Sequence, residues 1–345
     1  MPIGSTNISF SDLRTEYVGG NNNSVSFSQL YRSGSNILEP TSPGLTNAAA
    51  SVPTSGVISL DDFKDTARAF RKTYSSNATN QDASTVFGSD YAVDYPKQII
   101  INNGVEIGAT STSNEALQID AGNPNVFAGS ISITNNGTIT GAGGAAGANG
   151  GDAFEADVAC TLVNNGTIRS GGGGGGSGGN GSVQSTASNT TLYVTLSISG
   201  ECSATYGSNT GQSSSNTGGH CPNPYTSNID GGTSGVFQYV NYQTAGQSET
   251  CTARCYRKRH ITTTTSGGAG GVGAGYNQSA GPGSSGGTSA GAGGSGGAFG
   301  SAGSSGSNGT VSNGSSGGSA GKSIRGSSNV TLTNNGTITG PQSSN

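Results

Sequence analysis

Hydrophobic and polar positions change their spacing along the chain, and each spacing predicts a different structure. Three similar segments, ISFSDLR, VSFSQLYR and ISLDDFK, begin at Ile8, Val25 and Ile58. Each places Ser three residues before Asp or Gln, the spacing of a capping box at a helix start. The third segment continues to Lys72 with an apolar stripe and predicts an amphipathic helix. These stripes either pack against one another or dock onto a larger assembly.

From residue 99 the pattern changes to short alternating strands around Asn-Gly. A loop of Asn135, Asn136 and Gly137, with glycine in the left-handed conformation and a bulge, pairs Ile133 with Ile139 and gives one apolar face. Each copy therefore predicts a small β-hairpin that needs another surface to lie against. The copies of this motif, the first of them degenerate, lie at 99–108, 133–141, 162–171 and 332–340.

The composition limits the possible functions. The chain has 345 residues, of which 63 are Gly, 30% are hydrophobic and 9% are charged, with a net charge of −4. This is little material for a conventional enzyme core, and the charge lacks the basic field that nucleic-acid binding needs. No apolar stretch approaches the roughly 18 residues of a membrane span, and the start of the chain does not resemble a secretory signal. We therefore expect no nucleic-acid partner and no membrane insertion.

The glycine tracts have a period of three, most clearly from Gly291 to Gly309. Pro282 is the only proline between residues 266 and 340, which argues against collagen. Ordering one residue costs roughly 1–2 kcal/mol, and a lateral hydrogen bond returns about 1 kcal/mol. One tract therefore cannot order itself, whereas several side by side can. We expect a stack of polyglycine-II-type helices, with a flexible linker as the alternative. About five tracts are available, at 141–151, 171–181, 267–275, 281–300 and 300–321.

Residues 190–265 predict a separate small unit of three antiparallel strands. It is rich in Tyr, which gives recognition surfaces a large contact area at low entropic cost. It also contains a basic run that fits acidic sugar or phosphate, although an edge strand protected by its charges explains that run equally well. The candidate binding residues are Tyr206, Tyr225, Tyr239, Tyr242, Arg254, Tyr256, Arg257, Lys258 and Arg259.

Four of the five cysteines lie in the same region, at Cys202, Cys221, Cys251 and Cys255. Their spacing, with a histidine beside Cys221 and another near Cys255, does not match a structural zinc site, so we expect no metal and no cofactor. Two disulfides are favoured over free thiols. A Cys202–Cys221 bridge would stabilise the region by about 3 kcal/mol.

Carboxylates are the main candidates for an enzymatic activity, since glycan hydrolysis uses a pair of them. Asp152, Glu155 and Asp157 cluster after the first glycine tract, and others are scattered through 190–265. The sequence indicates no aromatic-lined cleft around them. We therefore expect that the protein is not an enzyme.

The NNGTI motif followed by a glycine-rich run resembles the receptor-binding regions of tailed-phage tail-fibre and tail-tip proteins, including polyglycine-sandwich tip adhesins. The segments SFSDLR and SFSQLYR are similar to parts of phage virion proteins. The resemblance covers roughly 131–181 and 266–340. Bacterial β-solenoid adhesins also use short Asn-Gly-Thr-Ile motifs, but here the copies lie 33, 29 and 170 residues apart, and that spacing argues against regular rungs.

The resemblance implies a virion protein in the phage tail, made in the host cytoplasm, that binds a host-surface glycan or protein through loops on a glycine scaffold. The alternative is a purely structural fibre, decoration or baseplate protein without receptor contact. Other virion proteins would hold residues 1–98, and hairpin faces that one chain cannot bury predict a homo-oligomer.

The expected fold is mainly β with glycine-rich polyglycine-II-type helices and a small helical N-terminal region. The expected domains are a helical or mixed anchoring region at 1–98, β-hairpins with glycine tracts at 99–189, a Tyr/Cys-rich β insertion at 190–265, and a glycine-rich stack ending in a hairpin at 266–345.

Overall fold

The computed structural model describes residues 3, 6–18, 26–32, 37–121, 127–197, 236–243 and 250–344. The chain divides into two compact units, the first formed by Met1–Asn180 with Ser266–Asn345 and the second by Gly181–Thr265. The fold is mainly β with a few short helices, as the sequence predicts. Within the described residues, no helix is both long and apolar enough to cross a membrane.

Three mostly parallel sheets wrap the first unit into five stacked coils, which form a β-solenoid. Strands are numbered β1 to β19 in chain order. The first sheet contains, in spatial order, β1 (Thr46–Asn47), β2 (Phe70–Tyr74), β5 (Lys97–Ile101), β8 (Ile131–Asn135), β11 (Cys160–Asn164) and β17 (Val330–Asn334). The second contains β3 (Ala78–Thr79), β6 (Glu106–Gly108), β9 (Thr138–Thr140), β12 (Thr167–Arg169) and β18 (Thr337–Thr339). The third contains β4 (Gln81–Asp82), β7 (Leu117–Ile119), β10 (Phe154–Ala156), β16 (Ile324–Arg325) and β19 (Gln342–Ser343).

The predicted β-hairpins are wrong. Ile133 pairs with Leu162 of the next coil, and Ile139 pairs with Ile168, both in parallel register. Each NNG motif is therefore a corner between two sheets, and its two flanking strands pair with the coils above and below. The argument against a solenoid is also wrong, because the extra residues leave the coil at another corner and do not disturb the stacking.

Asparagine ladders explain why the corner sequence repeats. The Asn135 amide donates to the Asn164 carbonyl oxygen at 2.8 Å, and the Asn164 amide donates to that of Asn334 at 2.8 Å. Glycine is required here by the neighbouring coil, since a Cβ on Gly166 would lie 2.0 Å from the backbone oxygen of Gly137. Neither of these glycines has a positive φ, so the predicted left-handed glycine is wrong for both.

The solenoid interior holds the main hydrophobic core. Its columns follow the strand register, as in Ile99, Ile133 and Leu162, all of which are fully buried. The core continues from Phe70 in β2 to Ile324 in β16 and therefore passes through the expected boundary at residue 98.

The N-terminal region has helices α1 (Phe10–Val18) and α2 (Phe27–Leu30) and a 3-10 helix, Leu60–Phe63, and all three capping boxes form. Leu13, Tyr17 and Phe63 belong to one small core, so the apolar stripes pack against one another. The predicted helix to Lys72 is wrong. Asp65 has a φ of 54°, and residues 70–74 form β2, because pairing with β5 outweighs the local amphipathic pattern.

Further short helices are α3 (Ala83–Phe87) and the 3-10 helices Gly88–Ala92 and Ser327–Asn329. The second unit contains a three-stranded antiparallel sheet in the order β13 (Gly181–Ser197), β15 (Thr250–Thr265), β14 (Val236–Gln243).

Candidate functional site

Two coils of the solenoid leave the stack between their second and third sheets, and the excursions are rich in glycine. Outside the second unit, these residues form legs that run back and forth and contain neither helix nor strand. The glycine tracts predicted from sequence are the same residues, with the longer tracts folded back on themselves. The eight legs are 141–145, 148–152, 171–180, 266–275, 281–286, 291–297, 301–309 and 312–321.

The leg 171–180, called the central leg below, is hydrogen-bonded on every side. Its N–H groups donate to three neighbouring legs, and every third N–H reaches the same neighbour. The donor and acceptor pairs are Gly172–Ala274, Gly175–Gly271 and Gly178–Gly268; Gly173–Ser301, Gly176–Ser304 and Gly179–Ser307; and Gly171–Gly151 and Gly174–Ala148.

The carbonyl groups of the central leg accept with the same period from two further legs and from the leg 141–145 with the turn that follows it. The central leg therefore has six neighbours and no free side. The donor and acceptor pairs are Gly144–Gly172 and Gly147–Gly175; Gly297–Gly173, Gly294–Gly176 and Gly291–Gly179; and Gly321–Gly171, Gly318–Gly174 and Ser315–Ser177.

Close packing explains the run of six glycines, Gly171–Gly176, all of which are buried. A Cβ on Gly171 would lie 1.7 Å from the Ala142 oxygen, and a Cβ on Gly174 would lie 1.7 Å from the Ala145 oxygen. Both atoms belong to the backbone, so neither contact can be relieved by a side-chain movement. The six-glycine run therefore marks the centre of the bundle.

Serine hydroxyls complete the bundle where a leg ends. The leg 148–152 is short and supplies carbonyls only to the first part of the central leg. Beyond it, the N–H of Ser177 donates to Ser315 Oγ at 2.8 Å, and the N–H of Asn180 donates to Ser312 Oγ at 2.8 Å. These hydroxyls take the place of backbone acceptors, so every N–H group of the central leg has an acceptor.

Two turns attach the bundle to the solenoid. In the turn 275–278, the Tyr276 ring packs directly on Gly108 of β6. A Cβ on Gly108 would lie 2.1 Å from this ring. In the turn 298–301, the Phe299 ring lies 3.9 Å from the guanidinium carbon of Arg169 in β12. Arg169 is also held by Glu106 at 3.0 Å. The sequence gives no signal for these contacts, since they join residues far apart in the chain.

At the opposite end of the bundle, two other turns contact each other, and one of them contacts the last residue of the central leg. Ala290 closes the turn 287–290, and Thr310 of the next turn donates to the Ser289 carbonyl. Val311 donates to the carbonyl of Asn180, the last residue of the central leg, and its side chain is 56% exposed. These turns, 287–290 and 309–312, are called the far turns below.

The candidate binding residues of the insertion are only partly covered by the structure. Tyr206 and Tyr225 lie outside the described residues. Tyr239 and Tyr242 lie on β14, and the others, Arg254, Tyr256, Arg257, Lys258 and Arg259, lie on β15. The alternative interpretation of the basic run as an edge strand is wrong, because β15 is the middle strand of its sheet.

Cys202 and Cys221 lie outside the described residues, so the disulfide prediction stays untested. Cys251 and Cys255 are both on β15, four residues apart and therefore roughly 13 Å apart along the strand. A disulfide needs Cα atoms within about 7 Å, so these two cannot bond to each other while the strand is intact. Cys160, on β11, is a buried free thiol, and burial raises its pKa to about 12.

Two of the carboxylates considered for hydrolysis, Asp152 and Glu155, form an ion-pair cluster around Arg325 together with Glu115, whereas Asp157 is not part of it. Glu155 lies 2.5 Å from Nε of Arg325, Glu115 lies 2.6 Å from one terminal nitrogen, and Asp152 lies 3.3 Å from the other. Burial raises the pKa of Glu115, and Glu155 raises the pKa of Arg325. The cluster joins β16 to β10 and to the loop before β7.

A family model described as Phage tail fibre adhesin Gp38 matches residues 69–343, which is most of the chain. No curated protein matches. A similar solved structure is the crystal structure of the gp37-gp38 adhesin tip complex of the bacteriophage S16 long tail fiber. The identity is 14%, the TM-score is 0.37, and the match covers 84% of this chain and 88% of that chain. This similarity is too low to carry an argument.

Proposed function

The chain belongs to the phage tail fibre adhesin Gp38 family, and from this premise we propose how it holds and presents a receptor-binding surface. As a tail-fibre adhesin it works in the phage tail. The solenoid forms the base. The bundle of eight glycine legs, called the glycine block below, stands on that base as a rigid unit, and the receptor binds beyond the far turns. The receptor is a glycan or a protein of the host surface.

The legs of the block are polyglycine II helices, which have three residues per turn and no internal hydrogen bonds. Three features support this assignment. The hydrogen bonds between legs recur every third residue, the central leg has six neighbours, and its glycines leave no room for a Cβ. A helix with three residues per turn sends successive N–H groups toward three different neighbours, and Gly172, Gly173 and Gly174 donate in this way.

The hydrogen bonding of the central leg to six neighbours, with an acceptor for every N–H group from Gly171 to Asn180, is the observation that carries the proposal. Loops are usually mobile because few contacts hold their ends. Here the turn 309–312 joins two legs that are both bonded to the central leg. The turn 287–290 joins the leg 291–297, which is bonded to the central leg, to the leg 281–286, which is bonded to the leg 266–275, so the positions of both turns are fixed relative to the solenoid. A receptor-binding surface held in this way loses little conformational entropy on binding.

Adsorption of the purified chain to host cells tests this function. Val311→Asp puts a charge on a far turn, at a side chain that is 56% exposed. Val272→Asp is the matched control, because Val272 is 40% exposed but lies on the side of the block. We expect Val311→Asp to weaken adsorption by roughly tenfold or more and the control to bind as the unchanged chain does. Equal adsorption by both variants would contradict a receptor contact at the far turns.

We also propose that the insertion contributes to the receptor contact through a subset of its candidate residues that includes Arg254, Tyr256 and Lys258 on β15. Tyr and Arg are the residues that most often dominate binding energy in interfaces. The family is an adhesin family, and Asp152 and Glu155 are paired with Arg325, so binding without hydrolysis is the proposed activity.

Residues 1–98 are proposed to contact other virion proteins. The family model begins at residue 69, and the preceding residues form their own small core around Leu13 and Phe63. Cross-linking of intact particles tests this, since Lys64 lies in the N-terminal region and Lys322 near the glycine block. Cross-links to other virion proteins should come from Lys64, and cross-links exclusively from Lys322 would contradict the proposal.

The expectation of a homo-oligomer came from hairpin faces that one chain could not bury. In the solenoid, Ile139, Leu162 and Ile168 are fully buried within a single chain, so burying these faces requires no second copy. Sedimentation of the purified chain measures the copy number directly.

A further inference from the structure

The register of the second unit separates its candidate binding residues into two sets. In an antiparallel sheet, residues directly opposite each other lie on the same face, and successive residues alternate between faces. Both irregularities of this sheet lie in β13 and β14, so the alternation along β15 is unbroken. Arg254, Tyr256 and Lys258 therefore lie on one face, and Arg257 and Arg259 lie on the other.

The face that contains Arg257 and Arg259 is mainly apolar around the middle of the sheet. Cys255 of β15 pairs with Leu192 of β13 and with Tyr239 of β14, which places all three on this face. The same register adds further apolar residues, namely Val194, Leu196, Phe237, Tyr242, Cys251 and Ala253.

The opposite face is polar and basic. Tyr256 of β15 pairs with Thr191 of β13 and with Gln238 of β14, and Arg254 pairs with Tyr193 and with Asn241. Lys258 and His260 continue the same row, which we call the basic face. The three strands contain no Asp or Glu, so the basic face has no intramolecular carboxylate on its own sheet.

We propose that the basic face is the receptor-contacting surface of the insertion and that it binds an anionic glycan of the host envelope, meaning a sugar chain with phosphate or carboxylate groups. This inference rests on the proposed adhesin function. Arg binds phosphate and carboxylate with paired hydrogen bonds, and Lys acts as a point charge. Tyrosine on the same row supplies a flat ring at low entropic cost. Arg257 and Arg259 take no part in this contact.

The test compares two double variants of the full chain that lose the same charge. Arg254→Ser with Lys258→Ser removes two cations from the basic face, and Arg257→Ser with Arg259→Ser removes two from the other face. Binding is measured with dextran sulfate and with uncharged dextran of the same length as probes. Circular dichroism and gel filtration check that each variant is folded. The charge-conserving variant Arg254→Lys with Lys258→Arg guards against a structural effect of the first pair.

We expect the unchanged chain to prefer dextran sulfate over dextran. The Arg254/Lys258 variant should lose about tenfold in affinity per cation removed. The Arg257/Arg259 variant should bind like the unchanged chain, and the charge-conserving variant should keep most of the affinity. Equal losses in the two double variants would overturn the proposal, because the effect would then follow net charge. Absence of a preference for dextran sulfate would overturn it as well.

Adsorption to host cells, measured in parallel, separates this proposal from the proposed function. If the unchanged chain adsorbs but both double variants adsorb equally well, the basic face is not the contact surface, and the adhesin function stands. If the unchanged chain does not adsorb, the proposed function itself is wrong.

Discussion

Replacing one glycine of the central leg should break the glycine block. In Gly174→Ala the new Cβ would lie 1.7 Å from the Ala145 oxygen, so the leg 141–145 must move by more than an ångström. That movement breaks the bonds from Gly144 and Gly147 to the central leg, which are 2.9 and 2.8 Å long. Each buried pair left unmade costs about 1–3 kcal/mol. Lower chain entropy in the unfolded variant returns about 0.4–1 kcal/mol. The net loss is about 3 kcal/mol.

Differential scanning calorimetry measures this loss. A destabilisation of this size should lower the melting temperature of the first unit by about 6–12 °C. Gly281→Ala is the matched control, because its Cβ would lie 3.3 Å from the Val272 side chain and no closer than 3.5 Å to the backbone, which is ordinary contact. The control should melt within about 2 °C of the unchanged chain. Melting of Gly174→Ala at the same temperature as Gly281→Ala would refute the packing assigned to the central leg.

Three further predictions concern the solenoid and its junction with the block. Asn164→Asp replaces a buried amide that donates to Asn334. The loss of this bond should lower the free energy of unfolding, measured in urea, by about 2–4 kcal/mol. An unchanged urea midpoint would contradict the asparagine ladder. Phe299→Ala removes the ring packed on Arg169 and should speed amide exchange in the turn 298–301 by about tenfold, with no change at the far turns; equal exchange in both chains would speak against this contact. The free energy of unfolding should fall as pH rises above about 10. The reason is that burial raises the pKa of four tyrosines above that of unfolded tyrosine, so the folded chain retains protons that the unfolded chain loses. A urea midpoint that stays constant from pH 9 to 12 would contradict this prediction. These tyrosines are Tyr17, Tyr74, Tyr91 and Tyr95, the last with a pKa of about 12.

Local signals in the sequence predicted local features well. The Ser9, Ser26 and Ser59 capping boxes form, because both partners lie within one turn of each other. The mainly β fold and the identity as a tail-fibre adhesin are also confirmed. These features depend on residues a few positions apart or on a family pattern.

Features set by distant partners could not be predicted in the same way. The alternation around Ile133 and Ile139 fits a hairpin and a stacked coil equally well, since both need one apolar face. The choice is made by partners such as Asn164 and Asn334, which are 170 residues apart. Likewise, the apolar stripe ending at Phe70 fits a helix, and pairing with β5 decides otherwise.

The candidate site shows the same division. The glycine period of three and the basic run in the insertion are visible in sequence. The contacts that position the block are not, because Phe299 meets Arg169 and Ser315 meets Ser177 across long excursions of the chain. The faces of β15 also depend on register, which a strand pattern alone does not fix.

Amide hydrogen exchange of the intact chain tests the central claim most directly. If the glycine legs form a bonded block around the central leg, the amides of Gly171–Gly176 should exchange at least about a thousandfold more slowly than an unstructured glycine peptide. Exchange of Gly171–Gly176 at the rate of the unstructured peptide would mean that the block does not exist in solution.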